Sequence, residues 1–241
     1  MEKTARNGKK KWTLHQAFTQ AKTVKGYRYL DSAGLTLNRI GQFYKQHNID
    51  PGGCLLSQRR EDADPYEIRF SADTIWLRYA LIDSLTHVVD TAPEWITGIA
   101  KDIEVKNFRT LGLRSQFFVE TENIVKSSTS LAKIISGVLL QDIIAEVEKK
   151  EDVGIEYAVR FPIKKYIGVL RMNNIRLLRE PKDPVDYPSD GLLFDVDVYW
   201  RREEPNTISR NETAGFLKSA ADIEYEMLGK IGARLLEEID G

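Results

Sequence analysis

Apolar residues recur at helical spacing from the start of the chain. Leu14, Phe18, Ala21 and Val24 predict a helix over about 13–22. Leu37, Ile40, Phe43 and Tyr44 predict a second over 32–46, with Asp31 or Ser32 placed to cap it. Asp50-Pro51-Gly52-Gly53 cannot continue a helix cheaply, and the polar run 57–65 predicts a surface loop. The period then falls to two. Tyr66, Ile68 and Phe70, followed after Ser71-Ala72-Asp73 by Ile75, Leu77 and Tyr79, predict a hairpin.

Leu85, Val88, Val89, Ala92, Ile96, Ile99 and Ile103 share one helical face. Pro93, with Thr91 and Glu94 at capping-box spacing, predicts a short helix, a break near Asp90 and a firm helix from 92 to about 103. Phe108–Val119 alternates as a strand, and 123–130 is a polar hinge. From Ser128 or Thr129 to Lys149 runs the most apolar helix of the chain. Strands follow at Val153–Pro162, Tyr166–Arg179 and Gly191–Arg202, with Pro181, Pro184 and Pro188 marking a loop at 181–190. Thr213 opens a final helix to about Ile239, in which Gly229 and Gly232 leave room for a close neighbour.

Short links between strands favour antiparallel pairing, since parallel neighbours need crossover helices. The expected architecture is α+β: a mainly antiparallel sheet of five to seven strands, with helices packed on one side, arranged as two halves alike in plan. The expected organisation is a basic arm, residues 1–26, on a single domain, 27–241, with halves 27–125 and 126–241.

Composition narrows the class. Hydrophobic residues are 42% and charged residues 29%, the balance of an ordinary globular chain. The single cysteine excludes an internal disulfide, and three histidines make a structural zinc site improbable. The most apolar stretch, Leu131–Leu140, is too short to span a bilayer. A cytoplasmic protein that does not enter the membrane is the resulting expectation. The formal charge is −1, yet Lys3, Arg6, Lys9, Lys10, Lys11, Lys22 and Lys25 against Glu2 give +6 over residues 1–26, leaving −7 on the rest. Such an arm, with Lys9, Lys10 and Lys11 at its centre, suits contact with nucleic-acid phosphates, and equally a solvated tail.

The familiar catalytic signatures are missing: there is no G-x-x-x-x-G-K-[ST], no strand-linked G-x-G-x-x-G, no G-x-S-x-G and no H-E-x-x-H. Asp195 and Asp197, two apart on a strand, project from one face and form the sharpest candidate metal pair. A third ligand would come from Asp186, Asp190 or Glu156. The competing reading pairs these acids with Arg160, Arg171 or Arg176 on neighbouring strands. Cys54 and His47 flank the Pro-Gly-Gly turn as an imaginable nucleophile and base, although a lone cysteine is more often a buried hydrophobe. Arg160, Arg171 and Arg176, with Tyr166 and Trp200 for stacking, form a candidate anion-binding set.

Three segments together carry a resemblance: Phe70–Leu77 followed by a helix, then Phe108-Arg109-Thr110-Leu111-Gly112-Leu113-Arg114, then Leu192–Tyr199 followed by a long amphipathic helix. This resembles a sporadically distributed family of bacterial proteins of about this length and unassigned function, whose strand carries an R-x-x-G-x-R-like core. The resemblance spans 66–239. It implies the α+β plan and carries no catalytic residues across. The functional expectation is thus a binding or assembly protein without an identifiable catalytic centre or cofactor, self-associating or engaging a protein partner. The alternatives are an anion or nucleic-acid binder, and a metal-dependent hydrolase or nuclease at Asp195 and Asp197.

Overall fold

A computed structural model of the 241-residue chain describes residues 11–24, 29–59, 65–80, 82–121, 124–136, 155–176, 190–207 and 209–240. The strands are β1 (Thr13–Thr23), β2 (Tyr44–Asp50), β3 (Gly53–Arg59), β4 (Glu67–Phe70), β5 (Thr74–Ala80), β6 (Asn107–Glu120), β7 (Glu156–Ile163), β8 (Tyr166–Arg176) and β9 (Asp190–Thr207). The helices are α1 (Tyr29–Ile40), α2 (Leu85–Asp102), α3 (Ile124–Ser136) and α4 (Arg210–Met227). The last of these continues through a π turn (Leu228–Gly232) into α5 (Ala233–Asp240). All nine strands form one antiparallel sheet in the order β2-β3-β4-β5-β1-β6-β9-β8-β7.

That order has an internal logic. β1 and β6 lie side by side at the centre, and each pairs on its outer edge with the last strand before a covering helix, β5 before α2 and β9 before α4. Each of these leads outward through the strand that precedes it in sequence. The same succession is thus laid out twice about the β1–β6 pair.

The described helices cover one face only. Ile75, Leu77 and Tyr79 of β5, Leu111, Leu113 and Phe117 of β6, Phe194, Val196 and Val198 of β9, and Leu170 and Met172 of β8 point to that face and are buried. They meet Leu85, Val88, Ala92, Ile96 and Ile99 of α2 and Phe216, Leu217, Ala220 and Ile223 of α4. Burying each large side chain favours folding by about 1.5–3 kcal/mol before chain entropy is counted. At one end of this layer the Trp12 indole donates to the Gly232 carbonyl at 2.8 Å. A Cβ at Gly232 would stand 2.9 Å from that indole nitrogen, so the close neighbour of this glycine is Trp12 of the same chain, while Gly229 faces open space.

The structure corrects several expectations. Nine strands replace five to seven, because β1, β2 and β3 lie where a helix, the end of a helix and a loop were expected. β1 is sandwiched between β5 and β6. Its helix-side residues are the small Ala17, Thr19 and Ala21, while Phe18 points the other way, so one apparent helical stripe mixed two faces. β2 is an edge strand exposed along nearly its whole length, and an unburied strand leaves no alternation to read. Helix α2 runs unbroken through Pro93: Ser84 caps its start, and its packing on the sheet outweighs the one backbone hydrogen bond that proline removes. Residues 124–130 of the expected polar hinge lie in α3, and α4 starts at Arg210 with Ser209 and Glu212 as a reciprocal capping box. The basic residues 1–10, the apolar helix beyond 136 and the proline loop before Asp190 lie outside the described residues. No helix among the described residues is long and apolar enough to cross a membrane.

Candidate ligand-binding face

Strand alternation sends every second side chain to the sheet face that the described helices leave uncovered. From β4 to β8 this face carries Glu67, Arg69, Trp76, Arg78, Gln16, Phe18, Gln20, Gly112, Arg114, Gln116, Asp195, Asp197, Tyr199 and Arg171, in a register fixed by the antiparallel ladders. A row of polar side chains crosses six strands, from β4 to β8. Arg69 and Arg78 flank Glu67 at 2.7 and 3.8 Å, Arg78 donates to Gln16 at 2.9 Å, and Gln16 donates to Gln116. At its far end Arg114 grips Asp195 through two nitrogens, its Nε lying 2.9 Å from Oδ1, while Arg171 stands 4.0 Å away on β8. Asp195 is buried, its side chain 3% exposed, and the guanidinium satisfies it where water does not reach.

Beside this row lies a cavity of about 900 Å3 over the central strands. One wall is aromatic: Phe18 and Trp76 stack at 5.5 Å, with Arg114 over the outer face of the pair at 5.8 Å from Phe18 and Arg69 at 5.0 Å from Trp76. The opposite wall is Tyr199, backed from the β7 side by Arg160 at 5.8 Å. Between the walls β6 presents Gly112. A Cβ there would meet Tyr199 at 3.6 Å and the Asp197 carboxylate at 3.9 Å, so the missing side chain opens a slot over the backbone.

The rim is basic for a local reason. Between Lys22–Thr110 and Thr23–Phe108 the ladder skips Arg109, a bulged residue that joins the cavity lining. Opposite it, β9 spends four residues, Arg202 to Pro205, against the single Arg109. The resulting wall brings Arg201, Arg202, Glu203 and Pro205 to the cavity. Among the described residues, no carboxylate pairs with Lys22, Arg109 or Arg201. Arg202 is held by Glu212 at 3.3 Å and lies over Trp200 at 4.1 Å.

Asp197 sits at the cavity floor. Burial pushes its carboxyl above the ordinary carboxylate range, the Arg171 and Arg114 charges pull it back, and Asp195 pushes it up again. It takes no hydrogen bond or ion pair from the described residues, although Arg114 is its cross-strand neighbour. No protein-family model matches the chain, and no curated protein matches it. The reading therefore rests on this geometry.

The residues singled out in the sequence are divided between the two faces. Arg160 and Arg171 share the open face with Asp195 and Asp197. Tyr166 and Trp200 lie on the helix side, where both pack against Phe216. Arg176 ends β8 opposite Asp190. Lys11 is exposed just before β1, and Lys9 and Lys10 lie outside the described residues. Asp195 and Asp197 find arginines around them, and no group of three or more His, Cys, Asp or Glu suited to a metal occurs among the described residues. Asp186 is outside those residues. Cys54 and His47 occupy facing strands of the β2–β3 hairpin, two register steps apart, with Cys54 opposite Ile49 and His47 opposite Leu56. Burial, aided by Asp50, pushes the Cys54 thiol up to about 11, and the His47 Nε2 donates to the Gly41 carbonyl at 2.8 Å. A protonated buried thiol is a poor nucleophile.

Phe18, Trp76 and Tyr199 were not among the candidate site residues, and Lys22 was counted only as one charge of the basic arm. Reading β1 as a helix removed Phe18 and Lys22 from the sheet. One signal was present: Arg109, Gly112 and Arg114, the R-x-x-G-x-R core, all line the cavity.

A second acid is isolated on the covered face. Glu224 of α4 is fully buried and accepts a hydrogen bond from the Ser115 hydroxyl, while its Oε1 has no partner. Burial raises its pKa well above the usual carboxylate value and outweighs the Ser115 bond, so the side chain is held as the neutral acid.

Proposed function

We propose that this chain is a binding protein whose open sheet face takes a planar ligand bearing an anionic group, of the nucleotide type. The observation that carries this reading is the slot over Gly112 between Tyr199 and the Phe18–Trp76 pair, rimmed by the unpaired cations Lys22, Arg109 and Arg201. A flat ring enters the gap left by the glycine and lies along Tyr199, whose other flank is already held by Arg160. Three cations without carboxylate partners are costly to keep together and favourable to anything that neutralises them. Their electrostatic attraction to phosphate is the sequence-independent part of nucleic-acid and nucleotide recognition.

Calorimetric titration with nucleoside monophosphates and with inorganic phosphate, at low and moderate salt, tests the reading. The expected result is nucleotide binding that exceeds phosphate binding, weakens as salt rises, and falls at least tenfold in Arg109→Ala and Arg201→Ala. Binding of none of these probes at low salt, or binding indifferent to both substitutions, overturns it.

A further inference from the structure

Resting on that reading of the cavity, we infer that the ring accepted over Gly112 is a guanine, chosen by the unpartnered carboxylate of Asp197. Two observations converge on this choice. The carboxylate lies beside the slot, close to where a Cβ of Gly112 would stand, so a ring occupying that gap must put an edge or face against it. No described side chain donates a hydrogen bond to it, whereas neighbouring Asp195 is gripped by Arg114. The half-buried acid is therefore left with acceptor capacity aimed at the cavity and no protein donor.

An acceptor pair selects a donor pair. The Watson–Crick edge of guanine carries N1–H and the 2-amino group side by side, two parallel donors that match the two oxygens of a carboxylate. Adenine offers one donor beside a ring-nitrogen acceptor, and that acceptor would face a carboxylate oxygen lone pair to lone pair. Hypoxanthine keeps N1–H and lacks the 2-amino group, so it isolates the second bond.

The distances along the strand agree with a nucleotide. Asp197 and Arg201 are four residues apart on β9, about 13 Å at strand rise, with Tyr199 midway on the same face. A base meeting Asp197 and lying along Tyr199 therefore extends its sugar and phosphate toward Lys22, Arg109 and Arg201 at the far end of the cavity. Free guanine nucleotides and a guanine within a single strand share this chemistry.

The test uses the full chain and calorimetric titration with GMP, IMP and AMP, together with a single-stranded RNA pentamer holding one central guanine among uracils. GMP should bind roughly tenfold to a hundredfold tighter than AMP, with IMP between them. Asp197→Asn should reduce the GMP preference to within a few fold, by weakening GMP binding and by relieving the repulsion that disfavours AMP, and Asp197→Glu should keep part of the preference. A pentamer that binds more tightly than GMP identifies the strand as the source, and one that binds no better identifies the free nucleotide. Equal binding of GMP and AMP by the wild type, or an unchanged preference in a folded Asp197→Asn, overturns the guanine assignment while leaving the nucleotide site standing. Should Asp197→Asn fail to fold, the ranking of GMP, IMP and AMP on the wild type decides alone. Binding of no nucleotide defeats the cavity reading itself.

Discussion

The two faces of this sheet treat acids in opposite ways. On the covered face the buried Glu224 accepts a hydrogen bond from Ser115 and pairs with no cation among the described residues, and burial raises its pKa well above the usual carboxylate value. On the open face Asp195 is scarcely more exposed, yet Arg114 pairs with it and Arg171 stands 4.0 Å away. The strands are shared, and residues of opposite parity on β6 and β9 supply both surroundings. What differs is the partner layer: helices bring apolar side chains, while neighbouring strands bring guanidiniums. The first face supplies the packed core, and the second is the one proposed for recognition.

The largest effect that could break this division is on stability. Phe194, fully buried on the covered face and packed against Trp12 at a ring distance of 5.7 Å, should cost about 3–5 kcal/mol when replaced by alanine, measured by urea unfolding. A cost as large for Trp76→Ala, across the sheet, would contradict the separation of roles.

The next effect is a pH slope. Folded Glu224 keeps a proton that the unfolded chain releases above about 4.5, so its contribution favours folding below that pH and is lost as pH rises toward the raised native value. Each released proton is worth about 1.4 kcal/mol per pH unit. Urea unfolding of wild type and Glu224→Gln should therefore diverge as pH rises from 5 to 7, by up to about 1.4 kcal/mol per pH unit, with the variant gaining relative stability. Parallel curves would place an ionised carboxylate in the core.

Asp195→Ala should destabilise by about 1–2 kcal/mol, less than loss of a fully buried pair, because the Arg114 side chain is 43% exposed and regains water. The smallest effect belongs to Gly112→Ala. Its nearest contacts would be ordinary van der Waals distances, so the unfolding midpoint should move by less than about 1 kcal/mol while ligand binding weakens.

Much of the covered face was legible in the sequence, because burial writes a period there. The alternations of β4 to β9 and the stripes of α2 and α4 correspond to the elements found. Legibility fails where the open face is itself apolar and the covered one small, as in β1 with Phe18 opposite Ala17 and Ala21, or where burial is absent, as in the exposed β2. The site was only partly visible for a related reason. Alternation predicts which residues of one strand share a face, but the order of strands decides which residues meet. Nothing local to Phe18 announces Trp76, and nothing near Gly112 announces Tyr199. Tyr166 and Trp200 show the converse: they are near Arg160 and Arg171 in sequence and on the other side of the sheet.

The slot over Gly112 is the centre of the account, and filling it is the most direct test. GMP should be titrated into wild type and Gly112→Leu at low salt, with unfolding curves recorded for both. The account predicts binding by the wild type and its loss, by at least tenfold, in a variant that unfolds at nearly the same urea concentration. Equal GMP affinity in the two proteins would contradict it, since a leucine cannot stand in that gap beside a bound ring.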